Sequence, residues 1–238
     1  MASKRSVVVI GGGRGIGATV AFGAAAAGYD VAVGFHTDAD AAASVVERIC
    51  ASGGRAIGVG VDVVDSASVD AFLVRADLEL GPVYALINCS GYSGGRTRAV
   101  DLDPATLDRV LAVNVKGAFN CAKAAFTLMR GRGGSVINLS SAVVSTGGLK
   151  LAHYAAAKGA IEVMTRSLTW EAADAGIRIN AVAPGAVAGE GTPSIGYAKA
   201  TPLQREARPE EVAATILWLV SDAASYITGA VIPVTGGG

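Results

Sequence analysis

Short apolar runs rich in valine, isoleucine and alanine alternate along the chain with longer segments in which apolar residues recur at helical spacing. Such short runs are typical of buried strands, and the longer segments are typical of helices. The pattern predicts strands over residues 6–10, 30–35, 55–61, 83–88, 135–140, 178–183 and 230–234. It predicts helices over residues 18–27, 38–52, 66–80, 104–129, 152–175 and 209–221.

The alternation of strands and helices predicts the fold class. A helix between successive strands favours right-handed crossovers and therefore a parallel sheet. We expect an α/β protein with a doubly wound, seven-stranded parallel sheet and helices on both faces. The chain has 238 residues, which fits a single domain over residues 1–238 without a separate substrate domain.

Composition and charge narrow the range of partners. Lysine plus arginine equals aspartate plus glutamate at 20 each, and the isoelectric point is about 6.7. This balance is not that of a nucleic-acid or anionic-membrane binder. No apolar run approaches the ~20 residues of a membrane span, and residues 1–5 lead directly into a strand. We therefore expect a cytoplasmic protein whose partners are small molecules and other copies of itself.

The chain has too few cysteines and histidines to favour a disulfide framework, a histidine-based triad or a zinc site. Cys50, Cys89 and Cys121 are odd in number and widely spaced, which predicts reduced thiols rather than a disulfide framework. The two histidines, His36 and His153, leave little for a histidine-based triad or a zinc site. We expect no metal.

A glycine-rich turn follows the first predicted strand. It consists of Gly11, Gly12, Gly13, Arg14, Gly15, Ile16 and Gly17, and an alanine-rich helix follows. Glycines allow a tight turn and a close approach to a pyrophosphate, while a helix N-terminus offers N–H groups and partial positive charge. Strand, turn and helix in this order predict a Rossmann-like phosphate-binding unit, although the spacing fits the dinucleotide fingerprint only loosely.

Three residues carry the predicted chemistry. Tyr154 and Lys158 are four residues apart, so on a helix they lie on one face, and Ser141 lies thirteen residues before Tyr154. A nearby ammonium favours the phenolate and brings a phenol with an ordinary pKa of about 10 closer to acid–base work near neutrality. Tyr154 is therefore predicted to exchange a proton with an alcohol or carbonyl oxygen.

Further polar and glycine residues follow the other predicted strands. Parallel strands place their carboxyl ends at one crevice, where ligands bind. The residues expected there are His36, Thr37, Asp62, Val63, Asn88, Cys89, Ser90, Gly91, Ser140, Ser141, Pro184 and Gly185.

These motifs together resemble the classical short-chain dehydrogenase/reductase family over essentially the whole chain, and within it 3-oxoacyl-[acyl-carrier-protein] reductases. The resemblance implies that Tyr154 is the general acid or base, that Lys158 lowers its pKa and holds the nicotinamide ribose, and that Ser141 hydrogen-bonds the reacting oxygen. It implies that Asn114 positions a water joining Lys158 to solvent. It also implies a homotetramer built through the helices around residues 112–129 and 155–170.

The sequence departs from the family pattern in three segments. Ile10 replaces the usual threonine before the first glycine, and Cys89 and Ser90 replace the usual Asn-Ala after the fourth strand. Gly189 stands where a threonine commonly holds the nicotinamide carboxamide. Thr192 or the backbone of Val187 could take over that contact. The stretch 188–201 is predicted to be a lid over the substrate.

The expected cofactor is NADP(H), with NAD(H) as the alternative. Phe35 stands where an acidic residue would bind the ribose 2′-hydroxyl of NAD, while Arg14, His36 and Thr37 can bind a 2′-phosphate. Asp38 would reverse this preference if the second strand ended later.

Three functional hypotheses remain open from the sequence. The first is an NADP-dependent reductase of a ketone or 3-oxoacyl thioester, in which Arg96 and Arg98 could attract acyl-carrier protein. The second is an NAD-dependent alcohol or sugar dehydrogenase. The third is a non-catalytic dinucleotide-binding sensor or scaffold, suggested by Ile10, Cys89 and Gly189. Intact Ser141, Tyr154 and Lys158 argue against the third.

Overall fold

A computed structural model describes residues 5–189 and 201–238. The strands are β1 (Ser6–Ile10), β2 (Asp30–Phe35), β3 (Ala56–Gly60), β4 (Val83–Asn88), β5 (Gly134–Leu139), β6 (Ile177–Pro184) and β7 (Val231–Val234). The α-helices are α1 (Gly15–Ala26), α2 (Ala39–Ala51), α3 (Ser66–Leu80), α4 (Pro104–Leu111), α5 (Gly117–Met129), α6 (Val143–Thr146), α7 (Ala152–Ser167), α8 (Thr169–Asp174) and α9 (Pro209–Val220). The predicted lid falls largely on residues 190–200, including Thr192 and Tyr197, which lie outside the described residues.

All the described strands belong to one seven-stranded sheet in the order β3-β2-β1-β4-β5-β6-β7, and every pair is parallel. The order reverses between β1 and β4. The register pairs Ile10 with Asn88, and Asn88 with Asn138, so β1, β4 and β5 end side by side. The predicted α/β, doubly wound fold is confirmed, and its crevice lies at this switch point.

Two apolar cores cover the two faces of the sheet. One packs α3, α5 and α8 against the strands through residues such as Phe72, Leu86 and Met129. The other packs α1, α2 and α9 through residues such as Val20 and Ile216. The strand residues are buried on both faces, which is why β1 and β2 read as continuous apolar runs.

Two helices predicted as continuous are interrupted. The predicted helix over 104–129 divides into α4 and α5 around a π-helical turn at Ala112–Lys116. There the Asn114 side chain donates to the Val110 carbonyl oxygen at 2.9 Å and competes with the backbone hydrogen bonds of the helix. The predicted helix over 152–175 divides at Leu168, next to a Thr169 hydroxyl that donates back to the Thr165 carbonyl at 3.1 Å.

The first helix begins earlier than its predicted start at residue 18. Gly15 and Gly17 form its first turn, so part of the glycine-rich segment is helical. None of the described helices is long and apolar enough to span a membrane.

Candidate active site

The glycine turn between β1 and α1 is packed so closely that side chains would not fit. A Cβ on Gly17 would lie 2.1 Å from the Gly11 carbonyl oxygen, and one on Gly13 would lie 3.2 Å from the Ala42 nitrogen. Gly11 and Gly15 have φ angles of 75° and 50°, which favour glycine. Gly11, Gly13 and Gly15 form a cradle of bare backbone at the N-terminus of α1, and Ile16 is buried.

A cleft of about 860 Å³ opens over this turn. The ends of β1 to β4 and the region between α4 and α5 line it. Most of the predicted cofactor-binding residues on those strands lie along it, namely Gly11, Gly13, Arg14, Gly15, His36, Thr37, Asp62, Val63 and Gly91. Its size and its cradle suit a dinucleotide with a pyrophosphate at the glycine turn.

One end of the cleft holds an ion pair that the sequence did not predict. The Arg14 guanidinium lies 3.4 Å from the Asp38 carboxylate, with both side chains partly exposed. Asp38 is also the N-cap of α2, and its Oδ1 accepts from the Ala41 N–H at 3.0 Å. β2 ends at Phe35 as predicted, so Asp38 reaches the cleft from the loop after the strand. Asp62 lies nearby, 4.0 Å from His36.

Lys158 is buried beside Gly91, which lines the cleft, whereas Ser141, Tyr154 and Lys158 are not themselves among the lining residues. Its ammonium donates to the Leu139 carbonyl oxygen at 2.7 Å, where β5 ends, and lies 5.6 Å from the centroid of the Tyr154 ring. Burial lowers the pKa of Lys158 to about 8, because an ammonium loses its hydration there. The neighbouring Cys89 opposes that shift. Lys158 is still mostly protonated at neutral pH.

Ser141 and Tyr154 lie on the two elements that Lys158 joins. Ser141 lies two residues after the end of β5, and its hydroxyl accepts from the Val143 N–H at 3.4 Å. Tyr154 is in the first turn of α7. Both residues are half-buried, whereas Lys158 is 2% exposed.

Ser140 fixes the same strand end to α7. Its hydroxyl donates to Glu162 at 2.8 Å, and Glu162 is only 12% exposed and lies 3.6 Å from Arg166. Glu162 is one turn beyond Lys158 on α7. The bond therefore holds the segment after β5, which includes Ser141, against the helix that carries Tyr154. Sequence reasoning missed Glu162, since a carboxylate at this spacing usually belongs to a solvated helix face.

Asn114 lies in the π-helical turn, beside Lys158. Its amide nitrogen donates to the Tyr92 carbonyl at 2.7 Å and to the Val110 carbonyl at 2.9 Å. Its Oδ1 is buried and has no hydrogen-bond partner among the described residues. A Cβ on Gly91 would lie 3.2 Å from that Oδ1 and 3.5 Å from the Lys158 nitrogen, so the absence of a side chain at Gly91 keeps the space between them open.

The remaining predicted residues lie at the strand ends around this centre. The Asn88 Oδ1 accepts from the N–H and the hydroxyl of Ser90, which shapes the turn after β4. The Pro184 carbonyl accepts from the Ala142 N–H at 2.8 Å, so the end of β6 adjoins the Ser141 segment. Gly185 approaches Thr235, and Val187 is buried and pairs with Ala207. In the described ranges, these three residues lie beside the cleft rather than on its lining.

Comparison with known proteins identifies the family to which this chain belongs. The model of the family described as enoyl-(acyl carrier protein) reductase matches residues 11–238. A solved short-chain type dehydrogenase/reductase from Mycobacterium ulcerans superposes with a TM-score of 0.92 at 29% identity, covering 98% of this chain and 89% of that one. The chain belongs to the short-chain dehydrogenase/reductase family.

Similar members of the short-chain dehydrogenase/reductase family carry several names. An uncharacterized oxidoreductase, YgfF, of Escherichia coli K12 is 38% identical, covering 97% of this chain and 98% of its own. Glucose 1-dehydrogenase 2 of Bacillus subtilis 168 is 35% identical, covering 98% and 94%. The 3-oxoacyl-[acyl-carrier-protein] reductase FabG of Staphylococcus aureus is 34% identical, covering 100% and 99%. The chain is thus an oxidoreductase of a family that binds NAD(P)(H) and acts on small molecules.

The residues in and beside the cleft fit an NAD(P)(H) cofactor. The glycine cradle lines the cleft at the N-terminus of α1, where a pyrophosphate would bind, and the cleft continues from there to the turn at Gly91, next to Lys158. Asn114 Oδ1 is a buried acceptor whose hydrogen-bonding capacity the described residues leave unused. Cys89 and Ile10, which depart from the family pattern, contact each other. The Cys89 backbone N–H donates to the Ile10 carbonyl at 2.9 Å, so the loop after β4 is hydrogen-bonded to β1.

Proposed function

We propose that this protein is an NADP-dependent reductase that converts a carbonyl, a ketone or a 3-oxoacyl thioester, to an alcohol. The main support for the proposal is the position of the Lys158 ammonium. It is buried beside the Tyr154 ring and bound to the end of β5, two residues before Ser141. That arrangement suits proton transfer at an oxygen, and it adjoins a cleft shaped for a dinucleotide.

The nicotinamide cofactor, when bound, supplies the hydride that reduces the carbonyl carbon. The Tyr154 hydroxyl then gives its proton to the carbonyl oxygen as negative charge grows there, and it takes the proton back in the oxidative direction. The Ser141 hydroxyl donates a hydrogen bond to the same oxygen and stabilises that charge. The Lys158 ammonium stabilises the phenolate that Tyr154 becomes, and it can also hold a ribose hydroxyl.

Asn114 is proposed to complete a path for the proton. Its Oδ1 and the Lys158 nitrogen both lie near the open space at Gly91. A water in that space could donate to Asn114 Oδ1 and accept from Lys158. This would return a proton to Tyr154 after each turnover.

Cofactor binding is assigned to the cleft and to the strand ends beside it. The residues proposed to contact the cofactor are Gly11, Gly13, Arg14, Gly15, Ile16, Gly17, His36, Thr37, Asp62, Val63, Asn88, Gly91, Tyr154, Lys158, Pro184, Gly185 and Val187. Preference for NADP is supported by Phe35 at the end of β2, by Arg14, and by a relative named as a 3-oxoacyl-[acyl-carrier-protein] reductase.

The Arg14–Asp38 ion pair supports a second candidate, an NAD-dependent alcohol or sugar dehydrogenase. Asp38 brings a carboxylate to the cleft, where it could accept from a ribose hydroxyl and would repel a 2′-phosphate. A relative named as a glucose 1-dehydrogenase is in keeping with this candidate. Phe35 at the end of β2, the position where the NAD-binding acid is expected, argues for NADP.

Assembly into a homotetramer is also proposed. Phe119, Val163 and Trp170 are 50%, 60% and 83% exposed on α5, α7 and α8. Phe119 also lines a groove of about 430 Å³, together with Leu168 and Glu171. Apolar side chains concentrated on these helices favour contact with another copy of the chain.

A panel of ketones and 3-oxo esters, assayed with both cofactors, tests the function. The proposal expects NADPH oxidation with at least one panel member, and a lower dissociation constant for NADPH than for NADH. A lower dissociation constant for NADH together with alcohol oxidation would favour the second candidate. Tight binding of either cofactor without turnover would favour a non-catalytic sensor.

A further inference from the structure

Residues 92–97 form a segment that follows β4 and borders the candidate site. Tyr92 lines the cleft, and Gly91 just before it lies against Lys158 and Asn114. From there the segment passes the first turn of α7, where Tyr154 lies. This segment would therefore form one wall of the pocket for a carbonyl compound bound near Tyr154.

Two side chains hold successive carbonyl groups of the 92–97 segment. Asn114 donates to the Tyr92 oxygen at 2.7 Å, and the His153 Nε2 lies 2.9 Å from the Ser93 oxygen. Because a carbonyl only accepts, His153 must carry a hydrogen on Nε2. His153 is 5% exposed and Ser93 is exposed, so this bond joins the buried interior to the surface segment.

Beyond Ser93 the segment passes through two glycines in the left-handed region. Gly94 and Gly95 have φ angles of 70° and 78°, which favour glycine. The next contacts are on the exposed side, where the Thr97 N–H donates to the Lys150 oxygen at 2.9 Å and Arg96 donates to the Leu149 oxygen at 3.0 Å. His153 thus holds the residue directly before the two glycines.

We propose that His153 is a positioning residue for the carbonyl substrate. Its Nε2–H holds the Ser93 carbonyl and fixes the 92–97 wall against the helix turn that carries Tyr154. The inference rests on the proposed reductase function, because it places the substrate between that wall and Tyr154. It assigns His153 no direct contact with the substrate.

The test uses ethyl acetoacetate, a soluble 3-oxo ester, as the carbonyl probe, with NADPH as the reductant. His153→Ala removes the donor, and His153→Gln keeps an N–H at a similar reach. His153→Ala is expected to raise the KM for the ester by about tenfold, with kcat and the NADPH dissociation constant nearly unchanged. Hydrogen exchange over residues 92–97 should accelerate by about tenfold. His153→Gln should restore both.

A glycine pair provides a control that leaves His153 in place. A methyl group on Gly94 would lie 3.2 Å from His153 Nε2 and 2.9 Å from Thr106 and Val110 side-chain atoms, whereas one on Gly95 would meet nothing within 4 Å. Both substitutions strain a backbone of similar positive φ. Gly94→Ala should therefore raise KM as His153→Ala does, and Gly95→Ala should not.

Several outcomes would overturn the inference. One is unchanged exchange over 92–97 in His153→Ala, and another is faster exchange with an unchanged KM. Equal effects of Gly94→Ala and Gly95→Ala would also contradict it. A wild-type protein that binds no cofactor would instead contradict the proposed function, and the exchange measurement, which needs no turnover, would still decide whether His153 holds the segment.

Discussion

The Lys158 ammonium lies 5.6 Å from the centre of the Tyr154 ring while donating to the Leu139 carbonyl, two residues before Ser141. One buried cation thereby links the helix that carries the phenol to the strand that leads to the serine. Removing it should affect both acid–base chemistry and stability.

Stability should depend on pH through Lys158. Its pKa in the folded protein, about 8, is below the ordinary value of 10.5, because burial disfavours the charged form. Between these values the unfolded chain binds more protons, so stability rises with pH across that window and is lost as pH falls through about 8. Relative to Lys158→Met, the wild-type protein should gain about 3 kcal/mol in unfolding free energy from pH 8 to 10.5. Urea unfolding of both apo proteins measures this, and a pH-independent difference would contradict it.

Cofactor selectivity should respond to Asp38. Asp38→Asn removes the carboxylate that pairs with Arg14 and keeps a good N-cap for α2. NADPH should then bind about fivefold more tightly, since Arg14 is released and a like charge is gone, while NADH binding changes little. Asp40, in the first turn of α2, provides the matched control Asp40→Asn. An equal gain from both substitutions, by fluorescence titration, would reject a specific role for Asp38.

Arg178 should contribute to stability far from the site. Its guanidinium donates to the Leu219 carbonyl at 2.7 Å and to the Ile227 carbonyl at 3.2 Å, joining the end of α9 to the segment before β7. Arg178→Leu removes the charged donor, while the Ile227 carbonyl keeps the Asn180 amide at 2.9 Å and the Leu219 carbonyl keeps the Ser135 hydroxyl at 3.4 Å. The loss of the charged hydrogen bonds should lower the unfolding free energy by about 2 kcal/mol. Arg75, in an exposed pair with Glu79, is the control, and Arg75→Leu should cost less than about 0.5 kcal/mol. Equal losses in urea unfolding would contradict this assignment.

Assembly should depend on the apolar face of α5 and α8. Trp170→Glu places a charge on that face and should shift the protein from a tetramer to smaller species in sedimentation at micromolar concentration. Leu78, on α3, is 80% exposed, so Leu78→Glu is a control that should leave the mass unchanged. A monomeric wild-type protein would exclude the proposed tetramer.

The fold and much of the site could be predicted from the sequence because their signals are local. β1, the glycine turn and the spacing of Tyr154 and Lys158 each lie within a short stretch whose periodicity or residue type is distinctive. The interruption at Ala112–Lys116 was missed, because it depends on an Asn114 amide that competes with the helical ladder.

Long-range side-chain partners could not be predicted. The Arg14–Asp38 pair, the Ser140–Glu162 bond and the His153–Ser93 bond join residues from separate elements, and each depends on how those elements pack. No spacing rule relates such residues. Sequence reasoning could place each at a strand end or on a helix but could not identify its partner.

The proposed proton transfer by Tyr154 is tested by removing its hydroxyl alone. NADPH oxidation with a 3-oxo ester is measured for the wild-type protein and for Tyr154→Phe, with NADPH affinity measured on the same samples. The account predicts that the substitution lowers kcat by a factor of about 10²–10⁴ while the dissociation constant for NADPH stays nearly the same. A Tyr154→Phe enzyme that turns over at the wild-type rate would contradict it.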